Sequence, residues 1–306
     1  MRRGRLGALL GAAVLAIPAA GSVPAGAAND EHRATYATAT PATAHELASD
    51  VRILTLRFHQ LGFHRVHLAV SRQRIVVTDA GHAVSSSAIS EVAQVGRVLF
   101  RPVLCTAPPY QTVAGAAPVS GADLLPTCGA PYANGIEVNP TSSVEGYSSI
   151  TLGPDPQFAN YTDTPVDTPG YSDRAVLVPA LPLGTDHAVP GRYVAGPSQM
   201  SGSSVKSARA TKDQTGQWVV NYTMTPGGAS LWDAVAKKNF HQLLAIELDG
   251  VIFSAPIIQP TQSSFTSFDG QGEISGDLDQ ADARLLALDL NTKPLAVGLR
   301  LLRSSP

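Results

Sequence analysis

The stretch that decides the fold is MSGSSVKSARATKDQTGQWVVNYTMTPGGASLWDAV, residues 200–235. Trp218, Val220, Tyr222 and Met224 alternate with Val219, Asn221 and Thr223, which is the period of a strand. Thr225-Pro226 then opens a helix: the hydroxyl suits the N-cap, and proline suits a first turn where no N–H is missed. That helix presents Leu231, Trp232 and Val235 and ends near Asn239. Next comes LLAIELDGVIFSAPIIQ, residues 243–259, in which two apolar runs flank Asp249-Gly250. Such a pair tolerates positive φ and makes a structural hairpin turn. Gly272–Gly276 reads as a short strand, and Asp277 or Asp279 caps a last helix with Ala281, Leu285 and Leu288 inward. Pro294–Leu302 is a closing strand.

Order is also legible upstream. A helix beginning near Ala44 carries Leu47, Val51, Leu54, Phe58 and Leu61 at helical spacing and stops at Gly62. Val66, Leu68 and Val70 alternate, and Ile75-Val76-Val77 returns after a polar turn. A second helix capped by Ser85–Ser87 and a strand over 98–103 follow. Helices and strands mixed in this way make an α+β fold. Residues 29–45, rich in Ala and Thr, read as a flexible leader. Residues 104–197, rich in Pro, Gly, Ser, Thr and Tyr and lacking a period, read as a long, partly irregular insertion.

The first 28 residues have the order of a secretory signal: Arg2, Arg3 and Arg5, an uncharged run from Leu6 to Ala20, then Ala25-Gly26-Ala27-Ala28. The apolar run is short for a membrane span, so membrane contact is expected only through an uncleaved signal. An exported protein works outside the cytoplasm, where Cys105 and Cys128 can close a disulfide. The whole chain has 306 residues and a formal charge of −2, which disfavours a nucleic-acid binder. With only 2 Cys, a cysteine-built metal cage is excluded.

No chemistry of an active site stands out. His59, His64 and His67 are split between a helix and opposite faces of a strand, whereas zinc needs three or four converging ligands. Asp277, Asp279 and Asp282 lack the glycine turn and distal glutamate of a calcium loop. No G-x-S-x-G turn is present. No metal or cofactor is therefore expected, and an enzyme is the least supported class. Ser254-Ala255-Pro256-Ile257 is different, because Pro256 removes a strand donor and suggests an edge. An open edge accepts an extended peptide by strand addition.

Residues 200–290 resemble the first periplasmic domain of SecD, the accessory subunit of the Sec preprotein translocase. The resemblance lies in the Ser-Gly-x-x-Val-Lys-x-Ala segment at Ser201–Ala208, Trp218-Val219-Val220, Gly228-Ala229, Leu248-Asp249-Gly250, Ser254-Ala255-Pro256 and Ile274-Ser275-Gly276. More loosely, residues 46–103 are similar to the base of that domain. The resemblance implies a ferredoxin-like base over 46–103 closed by a strand at 294–303, and an α+β head over 198–293. SecD proper continues into a membrane bundle that couples proton flow to export, and no apolar span follows here. Asn291-Thr292-Lys293-Pro294 stands where the family has Gly-Ala-Leu-Pro. The resemblance implies a non-enzymatic export accessory that binds unfolded exported polypeptide and Sec translocase subunits. A cell-envelope ligand- or protein-binding module that kept the head fold without the translocase is the alternative, with the 104–197 insertion carrying its specificity.

Overall fold

The computed structural model describes residues 32–79, 86–112, 117–122, 127–129, 154–181, 191–276 and 278–305. The signal read at 1–28 lies outside them. The chain starts and finishes in one layer, the base. Strand β1 (His32–Thr38) is followed by helix α1 (Ala44–Gln60), the hairpin of β2 (Val66–Ser71) and β3 (Arg74–Asp79), and the short helix α2 (Ser86–Val92). The last strand of the chain, β13 (Leu299–Ser305), completes an antiparallel sheet in the order β13-β1-β3-β2. This β-α-β-β-α-β order is ferredoxin-like. Thr43 starts α1 with a capping box, its N–H donating to Glu46 Oε2 at 2.7 Å. Leu47, Leu54 and Phe58 then bury against Tyr36, Ile75 and Val77.

The base corrects two sequence expectations. The stretch read as a leader contains β1, in the middle of the sheet: Ala34 and Tyr36 alternate inward between exposed or half-buried neighbours, a period hidden by the small Ala and Thr side chains. Conversely, the strand over 98–103, read as part of the base, belongs to the head. Strand β4 (Val98–Ala107) is buried on both faces and forms the centre of the head's larger sheet.

That sheet holds β5 (Val176–Pro179), β6 (Arg192–Ala195), the two residues of β7 (Met200–Ser201), β10 (Leu244–Leu248) and β11 (Val251–Ser254). Its order is β11-β10-β4-β6-β5, with β7 also pairing β4. The ends meet: Ala180, just past β5, bridges Ile252 of β11, and Leu181 N donates to Ile252 O at 2.9 Å. The sheet thus curls towards a small barrel around Leu99, Val103, Val176, Val178, Ala245 and Ile252. Strands β5 and β6 lie in the segment read as an irregular insertion, so part of that segment is integral to the head. Four-residue strands framed by Pro and Gly are too short to show a period.

Cys105 on β4 and Cys128 form a disulfide with Cα atoms 6.1 Å apart, closing 23 residues of chain. It fastens the described piece 127–129 to the outer face of the barrel, where Phe158, Leu177 and Val194 pack. Cys128→Ser is expected to lower unfolding stability by about 3 kcal/mol, as for a closed loop of this length. Urea unfolding of oxidised protein and variant checks it, and an unchanged midpoint would contradict it.

The head's second sheet, in the order β12-β9-β8, comprises β8 (Val205–Lys212), β9 (Trp218–Met224) and β12 (Gln271–Ile274). It packs with α3 (Pro226–Lys238) and α4 (Gln280–Asn291) around Phe100, Val220, Tyr222, Trp232 and Leu286. The capping signals are realised. Thr225 Oγ1 accepts from Gly228 N at 3.0 Å, and Asp279 Oδ1 accepts from Asp282 N at 2.8 Å. The buried face of α4 is Ala283, Leu286, Ala287 and Leu290, with Leu288 also buried. Ala281, expected inside, is exposed, because the helix turns its apolar stripe two positions on.

Candidate functional site

Base and head meet where α1 crosses the end of α4. Arg57 of α1 and Asp289 of α4 form an ion pair at 2.9 Å, both side chains fully buried. Arg57 also donates to the carbonyls of Val92 (3.0 Å), Gln94 (2.5 Å) and Val95 (3.2 Å) and to Thr292 Oγ1 (3.1 Å). Asp249, at the hairpin turn, accepts from Gly96 N at 2.7 Å and Arg97 N at 2.8 Å. The Asp249-Gly250 turn is present as expected, with φ of 48° and 86°, and its carboxylate additionally ties the head to the segment leaving the base. Gly96, at φ 74°, packs so closely on Arg57 and Asp289 that a Cβ there would collide with both. Burial pushes the Asp289 carboxyl up to about 7; the Arg57 charge opposes this and the Asp249 charge adds to it.

This joint sets the walls of a groove of about 670 Å³ between base and head. Gln60, Leu61 and Gly62, at the end of α1, form one side. Ala287, Leu288 and Asn291 of α4, with Ala208 to Ala210 of β8 and Trp218, form the other. Arg57 and Leu61 are one turn apart on one helix, and Asp289 adjoins Leu288 on the other. The buried ion pair therefore fixes the spacing of the groove walls.

Strand β8 is the edge of its sheet, and the direction of its backbone is settled by two bonds. Ala208 N donates to Asn291 Oδ1 at 2.8 Å, and Ala208 O accepts from Asn291 Nδ2 at 2.8 Å. The Asn291 carboxamide thus imitates one residue of a neighbouring strand. Residues 207–212 pair with 223–218 of β9 in unbroken register, so peptide direction alternates residue by residue. The peptide groups of Ala210 and Lys212 therefore point away from β9, as Ala208's do. Ala210's meet no partner among the described residues. Met224 N donates to Gly270 O at 2.7 Å on the other side of β9, which agrees with this alternation.

The edge anticipated at Ser254-Ala255-Pro256-Ile257 is largely taken. Ser254 is 7% exposed and donates to Ser275 O at 2.6 Å. Pro256 O accepts from Leu244 N at 3.0 Å, and Ile257 bridges Leu243. Ala255 packs on the barrel core. Pro256 does mark the end of β11, but the neighbouring chain fills the space beside it. Cys105 and Cys128 are joined on the far side of the barrel, away from the groove. The His59 and His64 rings lie 5.5 Å apart and tilted by 58°, while among the described residues no three His, Cys, Asp or Glu come together to hold a metal ion. Sequence reasoning missed Arg57, Asp289, Asn291 and the β8 edge.

Residues 185–297 match the family profile described as the SecDF P1 head subdomain. Over just more than a third of its length, the chain is similar to the SecDF P1 head. Relatives agree: Thermus thermophilus protein translocase subunit SecDF is 35% identical over 105 residues, covering 34% of this chain and 14% of that protein. Rickettsia bellii protein translocase subunit SecD is 36% identical over 104 residues, covering 34% and 19%. The chain thus matches less than a fifth of the length of either relative. Two solved structures share the fold over 90% of this chain: SecDF in a super-membrane-facing form, with TM-score 0.53, 20% identity and 30% of that chain covered, and a membrane component SecDF that enhances protein export, with TM-score 0.52, 21% identity and 99% covered. Base and head together therefore have the SecDF fold. Among the described residues no helix is long and apolar enough to cross a membrane.

Proposed function

We propose that this protein is a non-enzymatic accessory of protein export that binds extended or unfolded polypeptide outside the cytoplasm, alongside subunits of the Sec translocase. The single observation that carries the reading is the β8 edge at Ala210, unpaired among the described residues and lying in a groove beside the apolar Leu61, Trp218 and Leu288. Main-chain bonds to an edge give affinity without demanding a particular sequence, which suits a partner that changes with every exported chain. The SecDF head and its translocase relatives support the setting. The disulfide supports an oxidising compartment.

Ala210→Pro tests the reading, since it deletes the outward N–H while leaving the bonds to β9 in place. Fluorescence anisotropy with a labelled, permanently unfolded polypeptide should show at least tenfold weaker binding for the variant, with the fold retained by circular dichroism. Binding by a folded variant equal to the parent's would reject the edge as the site.

A further inference from the structure

We infer that the β8 groove selects extended segments in which apolar residues alternate with acidic ones. This rests on the polypeptide-binding reading and specifies its substrate. Side chains of β8 alternate across the sheet. Ala208 and Ala210 face inward with Trp218 and α4, whereas Ser207 and Arg209 lie on the outer face with Asn221 and Thr223. An added strand continues both faces. Its residues in line with Ala210 lie over Leu61, Trp218 and Leu288 and must be apolar. Its residues in line with Arg209 lie on the polar outer face, one strand spacing from that guanidinium.

Charge decides what those outer residues are. Arg209 and Arg284 both border the groove, no acidic residue lines it, and neither arginine has an ion-pair or hydrogen-bond partner among the described residues. Of the cations of β8, Arg209 lies on the outer face, while Lys212, opposite Trp218, lies on the inner one; the nearest acid on the outer face, Glu273 of β12, is two strands away across Asn221. Opposite charges facing each other across strands attract, and like charges repel. The strand therefore favours a glutamate or aspartate at the outer position beside Arg209 and rejects lysine there. Asn291 sets the register, because it occupies the edge at Ala208 and leaves pairing to begin at Ala210.

The test uses labelled eight-residue peptides alternating Val with Glu, Gln or Lys, titrated with the full chain at low salt. The Glu peptide should bind most tightly, the Lys peptide about tenfold more weakly, and Gln between them. Arg209→Glu should invert the order, and Arg209→Lys should keep it. Equal binding of the Glu and Lys peptides, or an order unmoved by Arg209→Glu, overturns the inference. In that case the cations serve only to guard the edge against self-association. Should the unfolded polypeptide still bind the parent and fail with Ala210→Pro, polypeptide binding stands and only the selectivity falls. Should neither probe bind, both fall.

Discussion

Arg101→Met should lower the unfolding free energy by about 3–5 kcal/mol, the cost of breaking a buried pair by removing one partner. Arg101 is fully buried inside the curled sheet, and its Nε donates to Glu247 Oε2 at 2.6 Å. Its other nitrogens donate to the carbonyls of Gly196 (2.8 Å), Tyr171 (2.7 Å) and Arg174 (3.1 Å), and the guanidinium lies 4.9 Å from the Tyr171 ring centroid. Methionine fills much of the volume but satisfies none of these acceptors. Burial already pushes the Glu247 carboxyl up, with Arg101 opposing it. Without the arginine, Glu247 must take up a proton or remain an uncompensated charge. The double variant Arg101→Met, Glu247→Leu should recover much of the loss, because a well-packed apolar pair avoids both desolvation penalties. Urea unfolding followed by tryptophan fluorescence reads all three proteins. A single-variant loss below 1 kcal/mol would mean that the pair does not organise the barrel.

Arg57→Met should be comparably costly, with a pH dependence set by Asp289. The Asp289 carboxyl titrates at about 7 in the folded protein, against an ordinary value of 3.8. The folded state therefore holds this proton over a window in which the unfolded chain has released it. Its contribution to stability is complete below pH ~4 and is lost as pH rises through about 7, at ~1.4 kcal/mol per pH unit at most. At pH 5, Asp289 is already neutral, and removing Arg57 costs mainly its hydrogen bonds to Thr292 and the carbonyls of 92–95. At pH 8.5 the parent holds an ionised, paired Asp289, and the variant must bury that charge alone or keep it protonated. The loss should therefore grow from about 2 kcal/mol at pH 5 to about 4 kcal/mol at pH 8.5. Asp289→Asn, which does not titrate, should gain on the parent over the same rise. A pH-independent cost for Arg57→Met would show that the pair is not the coupled element of the joint.

Local chemistry was readable in advance, and long-range chemistry was not. Asp249-Gly250, Thr225-Pro226 and Asp279 each carry their instruction within a few residues, and each is realised as a turn or cap. Residues 32–38 carried a true strand period, but in Ala and Thr, whose small apolar surfaces register weakly against the larger residues that follow. Strand β6 needed a partner roughly ninety residues away in β4, which no window reveals, and β5 in turn pairs with β6. Arg101 and Glu247 did leave a trace: each is a lone charge in an otherwise apolar strand, and the charges are opposite in sign. Knowing that β4 and β10 are neighbours turns that trace into a pair. The groove had no comparable trace, because it depends on the Asn291 carboxamide standing beside Ala208, a match of geometry between distant segments. The proline at 256 marks the end of a strand, but the open edge lies on β8.

The most direct test of polypeptide binding at this edge is residue-resolved amide exchange on the full chain, with and without a saturating unfolded polypeptide. The Ala210 amide, without a partner among the described residues, should become protected when the polypeptide is added, while the amide of Ala208, already held by Asn291, should change little. Protection confined to β11 or the barrel, with Ala210 exchanging as before, would contradict the account.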